Sequence, residues 1–291
     1  RLGLAALSAG LPSIAPGAFP LWPGAAGVAI GAGAVCRDAA CSAVCSAAGA
    51  FGAPDEGAGA AQPFYVCGDV FSTVLAWNTK TYGDKGPQNW ADFWDVKKFP
   101  GKRSYRKGVA GALEPALMAD GVKTAEVYKV LATKEGADRA FKKMTELKPS
   151  IQFWEAGAQP PQFLVAGDVV MTTAYNGRID AAQREGKNLQ IAWTGGIYDL
   201  DYWVMPKGGA NKDLALKFIA MASGADAQAE YARNISYGPT NNKALAKLDT
   251  KVLGLLPTSP ANSKDALQFN ISFWADQGEA LEKRFAAWSA Q

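Results

Sequence analysis

The sequence predicts an α/β protein, and three observations carry the prediction. Short β-rich runs occur at residues 71–77, 169–175 and 201–205. Segments with helical spacing of apolar residues lie between and after them. The chain has 291 residues, of which 48% are hydrophobic, enough to bury a substantial core.

The elements follow in order. Residues 71–77 alternate and are rich in β-formers, which predicts a strand. Trp90-Ala-Asp-Phe-Trp94, with Phe99-Pro-Gly101 behind it, predicts a helical turn that packs its aromatic rings and then stops. Ala137, Ala140, Phe141, Met144 and Leu147 repeat at helical spacing. Residues 151–154 predict a strand, Gln159-Pro160-Pro161 a turn into a helix through 163–166, and residues 169–175 another strand. The run 201–205 ends at Pro206. Residues 214–221 are apolar on most faces and are expected to be deeply buried, whereas Leu281, Phe285 and Trp288 mark one face of a C-terminal helix.

Composition excludes several functions. Charged residues make up 20% and the net charge is +3, so neither a disordered chain nor a polybasic nucleic-acid binder is expected. Histidine is absent, which removes the commonest general base and metal ligand. No nucleophile elbow, phosphate loop or dinucleotide fingerprint stands in a convincing context, and Gly31-Ala-Gly33 is low-complexity sequence. No enzyme, cofactor or metal site is expected. Cys36, Cys41, Cys45 and Cys67 match no common zinc or redox spacing.

Residues 1–67 read differently from the rest. Nearly half of residues 1–66 are Ala or Gly, lysine is absent, and no periodicity is sustained. The preferred reading is translation of GC-rich DNA out of its original frame. A loose secretory signal starting at Arg1 is second. Gly10, Pro12, Pro16, Gly17, Pro20 and Pro23 interrupt the apolar run too soon for a membrane span.

From about Gly68 onward the motifs run in a familiar order. They are Phe71-Ser-Thr-Val-Leu-Ala-Trp-Asn-Thr79, Asn89-Trp-Ala-Asp-Phe-Trp94, Trp154-Glu-Ala-Gly-Ala-Gln159, Ala174-Tyr-Asn-Gly-Arg178, Gly196-Ile-Tyr-Asp-Leu-Asp-Tyr-Trp-Val-Met-Pro-Lys207 and Tyr237-Gly-Pro-Thr-Asn241. This series resembles the periplasmic spermidine/putrescine-binding family, the solute-binding proteins of ABC importers. The resemblance implies a two-lobe fold of the type II periplasmic binding kind, with an incomplete N-terminal lobe. Residues 68–77 would be the first crossover strand, 78–196 a complete lobe, 197–206 the second crossover, and 207–291 the remainder of the other lobe with C-terminal helices. It further implies a periplasmic monomer that works with an inner-membrane ABC permease and binds no nucleic acid.

A polyamine site needs carboxylates for its ammonium groups and aromatic faces for its methylenes. The resemblance assigns such roles to Tyr175, Asp201 and Tyr237, and more weakly to Trp274 and Asp276; Asp199 joins the candidates although relatives often have an aromatic residue there. Strand alternation places Asp199, Asp201 and Trp203 on one side, with Leu200 and Tyr202 on the other. Core packing competes for Tyr175, turn anchoring for Tyr237, a salt bridge for Asp201 and helix anchoring for Trp274. Arg178 departs from a dication site, since a guanidinium repels a diamine and holds a carboxylate bidentately. Solvent exposure, or pairing with Asp180 or Glu185, is the competing role for Arg178. The main reading is thus a polyamine binder. The alternative is a binder of an ω-amino acid such as γ-aminobutyrate, or a nonfunctional truncated or frameshifted remnant. With one lobe incomplete, weak or no binding is expected of the chain as it stands.

Overall fold

A computed structural model describes residues 65–206 and 208–291. The readings made of residues 1–64, including Cys36, Cys41 and Cys45, lie outside the described residues. The strands are β1 (Tyr65–Asn78), β2 (Arg103–Arg106), β3 (Ile151–Trp154), β4 (Met171–Tyr175), β5 (Leu189–Val204), β6 (Gly238–Pro239) and β7 (Leu267–Gln268). The α-helices are α1 (Thr79–Tyr82), α2 (Trp90–Trp94), α3 (Leu113–Ala119), α4 (Val127–Leu131), α5 (Lys134–Leu147), α6 (Gln159–Ala166) and α7 (Asn176–Arg184). They continue with α8 (Lys212–Ala222), α9 (Ala225–Ile235), α10 (Asn242–Leu245), α11 (Thr250–Leu255), α12 (Pro260–Ser263) and α13 (Ile271–Ala290).

One mixed sheet organises these elements, in the order β3-β2-β4-β1-β5-β7, with β6 also on β1. The two long strands β1 and β5 run antiparallel along nearly their whole length, from Tyr65↔Val204 to Asn78↔Leu189. On its other side β1 borders β4 through residues 73–77 and β6 through residues 69–70. Residues 68–77 lie within β1, which begins at Tyr65, and residues 197–204 lie within β5, with Met205 and Pro206 beyond its end.

The main core lies on one face of the sheet. It joins Leu75 and Trp77 of β1, the α2 aromatics, and the buried faces of α3, α4 and α5. The α2 turn forms as its sequence dictates. Asn89 caps it by accepting from the Asp92 N–H at 2.9 Å, and Trp90, Phe93 and Trp94 are all buried. Thr133 caps α5 in the same way, through the Gly136 N–H at 3.0 Å. A smaller cluster on the other face packs Leu164 of α6 and Ile179 of α7 against Ala76 and Ala174. A third cluster, centred on Ala229, Ala232, Ala244, Leu248 and Leu256, holds α9, α10 and α11 together.

Phe273, Leu281, Phe285 and Trp288 of α13 join the main core beside residues 78–196. One expectation changes. The 214–221 helix is not deeply buried. α8 has no buried residue, and Leu214, Phe218 and Met221 are 67%, 47% and 63% exposed. Apolar content reports what a helix could bury and not what covers it. Here Ile219 packs beside Val66 and Cys67, and Phe218 meets Trp203 edge-on. Among the described residues no helix is long and apolar enough to cross a membrane.

Candidate functional site

The site grows from the pairing of β1 with its neighbours. Residues directly opposite on antiparallel strands share a face, and alternate residues repeat it. On β1 that face carries Asp69, Phe71 and Thr73. Their partners are Asp201, Asp199 and Ile197 on β5, and Tyr175 on β4 opposite Thr73. Three carboxylates and two aromatic rings are thereby set on one surface. A cavity opens over it, lined by Phe71, Thr73, Arg106, Tyr175, Ile197 and Asp199 from the sheet strands, and by Ala110, Gly111 and Phe269 from the segments around it.

Tyr175 stands edge-on to Phe71 at 5.5 Å and to Trp154 at 5.6 Å, and the Trp154 indole is fixed by donating to Thr173 Oγ1 at 3.1 Å. The 155–158 loop presses on the same ring, for a Cβ at Gly157 would lie 3.0 Å from Tyr175 Cδ2 and 3.9 Å from Arg178 Nε. Gln159 closes that loop, its Oε1 accepting from the N–H groups of Glu155 and Ala156, so its side chain serves the turn.

Tyr237 reaches the face from the opposite side. Its ring centroid is 6.0 Å from that of Phe71 and 6.4 Å from that of Tyr231 on α9. The approach depends on small and strained neighbours. Ser236 adopts φ 56°, and a Cβ at Gly177 would come within 2.6 Å of both Tyr237 Cε1 and the Ile235 carbonyl oxygen. Buried Asn176 locks the junction, accepting from the Ser72 N–H and donating to the Ser236 carbonyl, each at 2.9 Å.

Arg178 is exposed in the first turn of α7. It does not pair with Asp180, which is held by Arg184 at 2.7 Å and by the Ser236 hydroxyl. Among the described residues neither Arg178 nor Arg106 makes an ion pair, and neither do Asp69, Asp199 and Asp201. Burial and the Asp201 charge raise Asp69 to about 7 against the pull of the Tyr231 hydroxyl. Burial raises Asp199 to about 6 although it accepts from the Leu200 N–H, and Asp201, more open to solvent, is raised for the same reason. Burial and the Asp69 charge hold the Tyr237 phenol neutral far above its usual range.

Of the residues the sequence singled out, the structure brings Tyr175, Arg178, Asp199, Asp201 and Tyr237 around one face. Trp274 stands behind it. Its ring stacks on Phe269 at 6.2 Å, and its indole donates to Glu114 at 2.9 Å, so its contact with the cavity runs through Phe269. Asp276 is exposed on α13. Sequence reasoning missed Asp69, Thr73, Arg106 and Phe269, and gave Phe71 only a place in a strand. Applying the period-two alternation to β1 would have found Asp69, Phe71 and Thr73 together.

The sheet thus has two long shared strands and a charged, aromatic face that opens to solvent. Residues 46–258 match the model of the bacterial extracellular solute-binding protein family, and the chain belongs to that family. The family is one of binding proteins and not of enzymes. The chain is 54% identical over 222 residues to a gamma-aminobutyric acid-binding protein of Pseudomonas aeruginosa, covering 76% of this chain and 63% of that protein. It thus spans less than two thirds of the length of this relative. Among solved structures, it is similar to the binding protein MotA of Agrobacterium tumefaciens B6 in complex with glucopine, at 34% identity and a TM-score of 0.74, over 79% of this chain and 72% of that one. It is also similar to a structure described as a GABA receptor, at 33% identity and a TM-score of 0.70, over 79% and 70% of the two chains.

Proposed function

We propose that this protein captures an ω-amino acid, with γ-aminobutyrate as the reference ligand, for an ABC importer. The observation that carries the reading is the presence of unpaired charges of both signs around one cavity. Asp199 and Arg106 line the cavity itself; Asp201 lies on the same strand face and Arg178 beside Tyr175, so the carboxylates offer an ammonium seat and the guanidiniums a carboxylate seat. The rings of Phe71, Tyr175 and Tyr237 lie between as an apolar bed for methylenes. A zwitterion with its charges at opposite ends uses every one of these groups. A polyamine, the ligand first expected, uses the carboxylates and leaves two guanidiniums facing a dication. The similarity to a gamma-aminobutyric acid-binding protein supports the same choice.

Capture works by differential affinity. A ligand touching groups on both sides of the paired strands β1 and β5 favours the arrangement that closes them on it. The bound protein then delivers the solute, in the periplasm, to an inner-membrane permease. Titration calorimetry with γ-aminobutyrate, putrescine and spermidine tests the reading. γ-Aminobutyrate is expected to bind more tightly than either amine, and stronger binding of putrescine would refute the choice of ligand. Arg178→Gln removes one charge-assisted contact, worth about 1.5 to 3 kcal/mol, so γ-aminobutyrate should weaken about tenfold to a hundredfold while putrescine holds or improves.

A further inference from the structure

The proposed ammonium seat contains a carboxylate that the reading above does not use. Asp69 is only 8% exposed and lies directly opposite Asp201 on the neighbouring strand. Its Oδ1 has no hydrogen-bond partner although it is shut away from water, and among the described residues the Tyr231 hydroxyl is the side-chain donor at its carboxylate. Pairing two like charges across an antiparallel ladder is destabilising, and an unsatisfied buried carboxylate oxygen costs more still. A cation donor, or a proton, is what this arrangement lacks.

We propose that Asp69 is the proton-exchanging half of the ammonium subsite: the empty protein carries a proton on Asp69, and an arriving primary ammonium displaces it and is held between Asp69 and Asp201. This rests on the amine-binding reading above. The balance is simple. The carboxyl O–H bond of Asp69 breaks and its proton passes to the buffer. The ammonium keeps its three protons, and one N–H···O bond forms to the carboxylate left behind. The subsite gains one positive charge from the ligand and loses one as the proton, so no net charge is added to the buried face.

The groups around Asp69 agree with this exchange. Asp201 faces it from β5 with Asp199 beyond, Tyr231 from α9, and Tyr237 from the segment after α9. The Arg178 charge on α7 acts on both tyrosines, yet it makes no ion pair with the acids. The frame is rigid. Gln228 donates to the Gly68 carbonyl at 3.0 Å, and the Thr240 hydroxyl to that of Cys67 at 3.0 Å, so α9 and the residue after β6 are tied to β1 immediately before the carboxylate. With Asp69 raised to about 7, the exchange falls in the neutral range.

The experiment is calorimetry of the full chain with γ-aminobutyrate, putrescine and n-butylamine, in phosphate and in Bis-Tris at pH 6 and in phosphate and in Tris at pH 8, for the native protein and Asp69→Asn. The difference in heat between buffers counts protons released. About one proton should be released at pH 6 and almost none at pH 8, and affinity should fall about tenfold between pH 8 and pH 6, as expected one pH unit below a pKa of about 7. In Asp69→Asn the count at pH 6 should fall by more than half, and the affinity change should shrink to about threefold or less. Release from putrescine or n-butylamine without binding of γ-aminobutyrate would uphold the exchange and sink the ω-amino-acid reading. Absence of release from the native protein at pH 6, equal release in Asp69→Asn, or failure of all three amines to bind would each overturn the proposal, and the first of these needs no variant.

Discussion

Glu114 offers the sharpest test of how burial governs this fold. It is fully buried in α3 and accepts from the Gly111 N–H at 3.0 Å, the Tyr128 hydroxyl at 3.0 Å and the Trp274 indole at 2.9 Å. All three donors are neutral and among the described residues no cation pairs with it, so burial outweighs the hydrogen bonds and raises the carboxyl from 4.5 to about 7. The sign follows from linkage. A raised acid pKa means that the folded state binds the proton more tightly than the unfolded one, so the contribution to stability grows as pH falls from about 7 toward 4.5 and is flat above. A shift of roughly 2.5 units at 1.36 kcal/mol per unit gives about 3 kcal/mol in full, and most of it by pH 5. For a protein of this size that raises Tm by roughly 5 to 10 °C between pH 8 and pH 5. Thermal unfolding followed by tryptophan fluorescence at half-unit pH steps reads it. Asp69 acts with the same sign, whereas the exposed acids with lowered values, such as Asp138 and Asp226, titrate below this window. Glu114→Gln removes the titrating group and should flatten the pH dependence. A Tm that declines steadily from pH 8 to pH 5, or a slope unchanged in Glu114→Gln, would contradict this account of the buried acid.

Two further outcomes test the packing. Phe285→Ala should cost about 3 to 5 kcal/mol in denaturant unfolding, because the ring is 2% exposed among Phe153, Trp288 and the main core, and a loss below about 1 kcal/mol would mean that α13 is not docked there. Asn176→Ala leaves the Ser72 N–H and the Ser236 carbonyl without partners in a buried setting, so stability should drop by about 2 to 4 kcal/mol and amine binding should weaken as Tyr237 loses its anchor.

What could be read from the sequence depended on whether the signal was local. The α2 turn was legible because cap, aromatic face and stop all lie within a dozen residues, from Asn89 to Pro100. The same holds for α5 and β3, and for Tyr175 at the end of β4. The two-residue strands β6 and β7 carry no period and exist only because β1 and β5 offer them an edge. The exposure of α8 was illegible for a different reason, since Leu214 and Met221 look like core residues whatever lies beside them. Trp274 was placed at the ligand because a tryptophan near the C-terminus fits either role; only the stack on Phe269 and the bond to Glu114 set it one layer back. Asp69 sits in no motif; alternation along β1 sets it on the face of Phe71 and Thr73, but its pairing with Asp201 comes only from the cross-strand register, which no reading of a single strand supplies.

The placement of Asp69 opposite Asp201 also bears on how the protein divides stability from function. A β-branched apolar residue at either position would strengthen the ladder, because like charges directly opposite are unfavourable and a buried carboxylate without a donor costs free energy. That cost is present in the empty seat only where Asp69 is ionised, above its pKa of about 7. There a cation entering between the two acids relieves their repulsion and supplies the missing donor; below it the proton on Asp69 already gives that relief, and an ammonium must displace it. The surrounding frame is tied firmly by Asn176, Gln228 and Thr240 for the same reason. Without those bonds the strands could part and dissipate the repulsion, and the seat would lose its preference for an ammonium over water.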